Sequence, residues 1–594
     1  MERNQIDGKY KWKLETMYAS DAAWEADYKY VSGEIKKTGG YEGKLNDPKT
    51  ISACLKFCDA VSGKLELMAV YAHCRRDEDT SADKYNAMYG RITTLHTDFA
   101  AAAAFIEPEL CALPVEKLKE LAKSPAFGDY DYMLKTLIKN IPHILSKPEE
   151  KLLAKMSDFA SGFENTFTML DNADIETPVI KADGKDIPLT HGAYGALLQH
   201  GDRSVRRQAF ELHHGFYKKM INTITANYAG EVKKNVFYSD ARGFESYLDK
   251  ALHSEDVPKE VYLKLVEAVS AGTPSMHKYM ALRKKTMGLD KLQMWDLHVP
   301  ITGGVKCSYE YGDAYKLVKE GLSPLGREYA ALLDSAYSDG WIDVYETRGK
   351  RSGGYCTHAN AAPHPYILLN YNGTLNEVFT IAHELGHAMH SYFSAKAQPY
   401  PKADYKIFVA EVASTVNEML LLDYLLKGAK DADTKKYLLS YRLNSVRTTI
   451  FRQTMFSEFE LKAHATAEKG KPLTVKELCG LYAKLNAKYY GPEIAPDGFI
   501  QYEWARIPHF YRAFYVYKYA TGLTAAINIG DKILTEKGYL ETYMKFLSAG
   551  GSDSPYAILK NAGVDLAAAE PYKKVTDIFD KTVEELEKLD KEKG

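Results

Sequence analysis

At 594 residues the chain exceeds one ordinary hydrophobic core, which predicts a few domains or one large helical body with lobes. Hydrophobic residues make up 45% and charged residues 26%, the balance of a soluble globular protein. With 77 basic and 79 acidic side chains the net charge is −2, so nothing electrostatic points to nucleic acid or an anionic membrane as partner.

The first 200 residues read mostly as helix, with apolar residues repeating at three and four across 21–37, 50–75, 82–105 and 148–167. Gly39-Gly40, Asn46-Asp47-Pro48, Pro108 and Pro142 separate these segments. Residues 175–188 break the pattern and read as a small hairpin. Strand-like pieces at 341–347 and 365–371 follow among glycines, and Asn372-Gly373 is a turn signal. Thr374-Leu-Asn-Glu377 then has the form of a capping box opening a helix. From Ala403 the chain reads as helix almost to its end. The tail presents Val575, Ile578, Phe579, Val583 and Leu586 as one apolar stripe, predicting a docked helix. The seven cysteines, at 54, 58, 74, 111, 307, 356 and 479, form no C-x-x-C pair and read as free thiols. No secretory h-region opens the chain, and no run approaches the roughly 18 apolar residues of a membrane span. These features predict a cytoplasmic protein.

The chemistry concentrates in His383-Glu384-Leu385-Gly386-His387. Four residues of α-helix turn through about 400°, so the two histidines fall on one face, one turn apart, and can bind one Zn²⁺. Glu384 is rotated about 100° from His383 and can reach a metal-bound water as its base without being a ligand. A third ligand is needed. The extended metzincin pattern fails, because 390 is histidine and 393 phenylalanine; a glutamate 20 residues after His387 also fails, because 407 is isoleucine. The next candidate is Glu411, which shares a polar face with Ser414, Asn417 and Glu418 among apolar neighbours. His390 reads as a packing residue or a hydrogen-bonding support.

Together with Tyr10-Lys-Trp-Lys-Leu, Leu189-Thr-His-Gly-Ala-Tyr, residues 203–210, the block from Gly353-Gly-Tyr to His390, and Ile507-Pro-His-Phe-Tyr-Arg-Ala-Phe-Tyr-Val-Tyr517, these residues resemble oligoendopeptidase F. The wider group includes thimet oligopeptidase. The resemblance covers nearly the whole chain. It implies a mainly α, two-lobed helical metallopeptidase with a deep central channel and a small β-sheet beside the zinc-binding helix. Residues 1–200 would be the amino-terminal helical region, and 201–594 the catalytic domain. It implies one Zn²⁺ per chain, with Glu411 completing the ligand set, and unstructured oligopeptides as substrates, cut internally. It further implies transition-state contacts from 509–519: His509, with Tyr517 as the best match for the main tyrosine and Tyr515 and Tyr511 as alternatives.

Independently of the family, a phenol or imidazole N–H can stabilise the charge that develops on the former carbonyl oxygen. Strand 365–371 can pair with a substrate backbone; Gly354 lies in a loop able to cover substrate, and His364 can line the cleft. Two rivals stay open. A dipeptidyl carboxypeptidase would need a fixed cation for the terminal carboxylate, with Arg506 and Arg512 as candidates. A catalytically silent peptide-binding protein would have lost Glu384 or a ligand, and none is lost. The oligomeric state is left open.

Overall fold

A computed structural model describes residues 2–302 and 308–591; Cys307 lies outside them, and the other six cysteines are free thiols. Helices dominate. The first expected helix is Asp21–Ile35, with Ser20 accepting from the Ala23 N–H. The second runs Pro48–Glu78, opened by proline in the first turn and by Asp47 accepting from Thr50. The third is Asp83–Ala103. The expected helix 148–167 is two, Lys147–Ala160 and Gly162–Asn172. At the break the Ser161 hydroxyl donates to the Asp158 carbonyl at 2.6 Å, and Gly162 adds a poor helix former. Val179–Ala182 and Lys185–Pro188 form the expected antiparallel hairpin. Its turn places Asp183 and Gly184 at φ of 51° and 73°, the left-handed pair of a type I′ turn.

The chain divides into two compact units. One comprises Met1–Pro142, Cys307–Tyr424 and Ile529–Gly563; the other His143–Lys306, Leu425–Asn528 and Val564–Gly594. Each is assembled from three separated segments. Helical periodicity reports which face of an element is buried, not which distant element covers it.

In the first unit, Trp24, Leu65, Met68, Tyr71 and Ile92 form a core that continues into Tyr366 and Leu368 of a three-stranded sheet. The strands are Ile342–Asp343, Tyr355–Thr357 and Tyr366–Leu368, and Tyr366–Leu368 is central. It runs parallel to Ile342–Asp343 (Ile342 opposite Ile367) and antiparallel to Tyr355–Thr357 (Cys356 opposite Ile367). Helix Leu375–Ala397 follows through Gly373, whose φ of 81° requires glycine at the turn. This helix packs against Tyr355–Thr357 and Tyr366–Leu368.

Among the described residues the second unit is helical apart from its hairpin and one parallel bridge between Leu292 and Ile494. Its last helix, Glu570–Lys591, buries Val575, Phe579, Val583 and Leu586 against Lys259–Ala271, Thr273–Thr286 and Ala432–Val446, as the stripe predicts. The expectation of nearly continuous helix after Ala403 fails between 491 and 516. Gly491 sits at φ 81°, prolines follow at 492 and 496, and the chain continues as 3₁₀ turns, Ile500–Arg506 and Pro508–Tyr511. No helix among the described residues is long and apolar enough to cross a membrane.

Candidate metal centre

Helix Leu375–Ala397 carries the His383–His387 pair, and Ile407–Gly428 carries Glu411. Thr374 Oγ1 accepts from the Glu377 N–H at 3.4 Å. The return bond of the expected capping box does not form, so only half the motif operates. What brings the two helices together is Gly386. A Cβ there would stand 2.4 Å from Ser414 Cα and 2.8 Å from both Ala413 O and Ser414 N, so only glycine permits this approach. The crossing is tied by the Asn417 amide, which donates to Ala382 O at 2.9 Å and accepts from the Tyr329 hydroxyl at 3.0 Å.

This close approach converges three donors. His383 Nε2 and His387 Nε2 are 3.1 Å apart, and Glu411 Oε2 lies 3.3 Å and 3.5 Å from them. Tetrahedral ligands at about 2.0–2.2 Å from one ion stand roughly 3.3–3.6 Å from each other, so the triangle fits a metal of zinc's size. Among the described residues this is the one group of three or more such side chains close enough to share an ion. On the far side of the ring, His383 Nδ1–H donates to Glu418 Oε1 at 2.6 Å, which leaves Nε2 as the lone-pair donor. The charges match. Burial alone would lower the His383 imidazole, but hydrogen bonds to Glu411 and Glu418 outweigh it and push it up to about 10. Hydrogen bonds from His383 and His387 hold Glu411 well below the usual carboxylate range. The cluster demands a cation at its centre.

Glu384 is 7% exposed, and its Oε2 has no hydrogen-bond partner among the described residues. Burial raises its pKa. A buried carboxylate oxygen one residue from a metal ligand, with nothing to bond, is placed to receive a proton.

Residues 196–578 match Peptidase family M3, and residues 109–176 match Oligopeptidase F. The chain belongs to peptidase family M3. It is 39% identical to "Oligopeptidase PepF" of Bacillus subtilis (strain 168), over 99% of this chain and 88% of that protein. It is 37% identical to "Group B oligopeptidase PepB" of Streptococcus agalactiae serotype III, over 99% of this chain and 98% of that one. Among solved structures, a putative peptidase from Chlamydophila abortus superposes with a TM-score of 0.95 at 34% identity, covering 99% of each chain. Oligoendopeptidase-F from Enterococcus faecium superposes with a TM-score of 0.74 at 33% identity, covering 96% of this chain and 99% of that one. The protein is therefore a metallopeptidase, a hydrolase of mainly helical fold.

The remaining expected site residues of this M3 peptidase divide. Gly354 lies against Glu384: a Cβ there would stand 3.4 Å from Thr380 Cγ2 and 3.6 Å from Glu384 Oε1. Strand 365–371 does not offer its backbone to substrate, because its core, Tyr366–Leu368, is paired on both sides. The two outer strands are Ile342–Asp343 and Tyr355–Thr357, the latter a strand that the glycine-rich sequence around it conceals. His364 is 7% exposed, stacks on Trp341 at 4.8 Å, and lines a cleft with Thr16, Asp339 and Tyr392 to which no metal-centre residue contributes. His390 is a packing residue, stacked on Tyr405 at 3.7 Å with its pKa lowered by burial to about 3.

In the other unit, residues 509–519 are not one aromatic helix. His509 and Tyr511 occupy the 3₁₀ turn Pro508–Tyr511, Phe514 takes a φ of 59°, and helix Tyr517–Thr535 begins at Tyr517. This break sorts the tyrosines. Tyr517 is 0% exposed, its ring 5.2 Å from that of Tyr262, and burial raises its phenol pKa far above normal. Tyr511 is 5% exposed, stacks on Phe167 at 4.5 Å and bonds Asn227 at 3.1 Å. His509, Tyr515 and Tyr519 are the half-exposed members. Their rings gather within 5.6–6.0 Å, and the Tyr519 hydroxyl lies 3.3 Å from His509 Nε2. The best match at Tyr517 thus falls on an interior side chain, while Tyr519 stands in the accessible group. Tyr515 lies just before helix Tyr517–Thr535 and Tyr519 in its first turn, so their contact follows from the break in the chain and not from helical spacing.

Proposed function

We propose that this M3 peptidase is a zinc-dependent oligoendopeptidase that hydrolyses internal peptide bonds of unstructured oligopeptides. The convergence of His383, His387 and Glu411 beside the unpartnered Glu384 carries this reading. His383, His387 and Glu411 would hold the ion. When bound, zinc supplies a Lewis acid that polarises the scissile carbonyl and lowers the pKa of water. Glu384 accepts the proton of the attacking water and delivers it to the leaving amine. Glu418 keeps the His383 ring in the tautomer and orientation that present Nε2. Gly354 adjoins the Glu384 carboxylate, within ordinary contact of Oε1. The edge strand Tyr355–Thr357 supplies backbone groups for an extended substrate, an attachment blind to side-chain identity.

His509, Tyr519 and Tyr515 are the donors assigned to the developing oxyanion, because they are the part-exposed members of the segment, whereas Tyr511 and Tyr517 are buried in packing. Internal cleavage agrees with the names of the oligoendopeptidase relatives. The arginines that an exopeptidase reading needs are already engaged: Arg506 with Glu503 at 3.0 Å, and Arg512 with Glu164 at 3.0 Å. Mass spectrometry of a mixed peptide digest, with and without chelator, tests the assignment. Chelator-sensitive internal cuts are expected. Release of terminal dipeptides alone, or undiminished hydrolysis by metal-depleted enzyme, would overturn it.

A further inference from the structure

The second unit contains a cleft of about 630 Å³ with a concentration of positive charge. Its volume falls in the roughly 300–1,000 Å³ range of small-ligand sites. Lys234, Arg242, Lys250, Arg512 and Lys518 all line it. Four of these cations are answered by carboxylates. Lys234 meets Glu231 at 2.7 Å, Arg242 meets Glu150 at 2.8 Å, Arg512 meets Glu164 at 3.0 Å, and Lys518 meets Glu255 at 2.7 Å. Lys250 has no acidic partner among the described residues; its ammonium lies over the face of Tyr247, 5.3 Å from the ring centroid. Burial lowers the pKa of this ammonium, and Arg242 and Lys234 lower it further. A half-buried ammonium held between two other cations is unfavourable unless an anion joins it.

We propose that this cleft binds the carboxy-terminal residue of a peptide, with Lys250 taking the terminal carboxylate. The proposal rests on the reading of the chain as an oligopeptidase. Two features favour a peptide terminus over a bare anion. A carboxylate alone would leave most of the volume empty. The lining includes the part-exposed rings of Tyr247, beside the ammonium, and Tyr515, which can receive a side chain. Residues 511–515 and 518 also line the cleft, so a peptide anchored there lies against Tyr515, one of the proposed oxyanion donors. Lys250 lies on helix Tyr247–Glu255, more than 250 residues upstream of Arg506 and Arg512.

The test compares a fluorescent oligopeptide bearing a free carboxy terminus with its carboxamide, which has the same size and no charge. Binding is measured by anisotropy to the zinc-loaded enzyme blocked by Glu384→Gln, so that the readout does not require turnover. The free acid is expected to bind about tenfold or more tightly than the amide, the scale of one charge-assisted hydrogen bond. Lys250→Met is expected to bring the acid down to the amide's affinity, leave the amide unchanged, and leave the melting temperature unchanged or raised, since it orphans no carboxylate. Lys250→Arg is expected to restore the preference. Equal binding of acid and amide overturns the proposal. So does displacement by millimolar inorganic phosphate that depends on Lys250 without an acid–amide difference, which would mark a site for a small free anion. Absence of hydrolysis by the intact enzyme would instead sink the peptidase reading, and the binding comparison stands apart from it.

Discussion

Replacing Gly386 by alanine tests how the metal centre is built. Helix propensity favours alanine by about 0.8–1.0 kcal/mol, so a view confined to one helix predicts a stabilised protein. The tertiary contact predicts the reverse. The new Cβ would lie 2.4 Å from Ser414 Cα, where ordinary contact begins near 3.4 Å. The obstruction is backbone, which no rotamer change relieves, so the two helices must part by about 1 Å. Overpacking of this kind costs roughly 1–3 kcal/mol, which cancels or exceeds the propensity gain. The effect on metal is larger, because Glu411 moves with its helix while ligand distances tolerate only about 0.2 Å. Thermal melting with and without zinc, metal analysis, and competition against a chromophoric chelator measure both effects. The expected result is an apo protein of similar or lower stability with zinc affinity reduced at least about tenfold, the lower end of what disturbing a ligand's support costs. A variant that melts higher and retains stoichiometric zinc at unchanged affinity would refute the account of Gly386.

Glu418→Ala removes the acceptor of the His383 Nδ1–H and should weaken zinc binding about 10–100-fold in the same chelator competition, with His383 itself intact. Glu384→Gln should retain zinc and peptide binding while kcat falls about 10²–10⁴-fold; a loss under about tenfold would require another base. Tyr519→Phe should lower kcat by roughly 10²–10³ with little change in KM, whereas Tyr517→Phe should leave kcat within a few-fold. The opposite ranking would place the buried phenol at the reaction after all. Unstructured oligopeptides should be cut while a native disulfide-bonded protein survives the same incubation; its degradation would contradict the substrate class.

Local sequence determined the features that depend on near neighbours. The His383–His387 register follows from 3.6 residues per turn, and Asp183-Gly184 and Asn372-Gly373 announce their turns because few residues accept positive φ. The exclusion of 393 and 407 as ligands needed only the residue identities, and Glu411 emerged as a candidate from its polar face. Tertiary structure decided what each of these does. Glu411 and Glu418 lie two turns apart on one helix and look alike in sequence. The crossing at Gly386 and Ser414 turns one oxygen toward both Nε2 atoms and the other toward Nδ1. Strand 365–371 reads equally as an edge or a centre, and only its pairing with Ile342–Asp343 and Tyr355–Thr357 makes it the centre. The tyrosines of 511–519 are chemically equivalent until the turn at Phe514 buries some and exposes others. Lys250 is one lysine among many until Lys234 and Arg242 are folded beside it. Periodicity encodes how much of each element is buried, but pairing, exposure and charge environment are set by which elements the fold brings side by side.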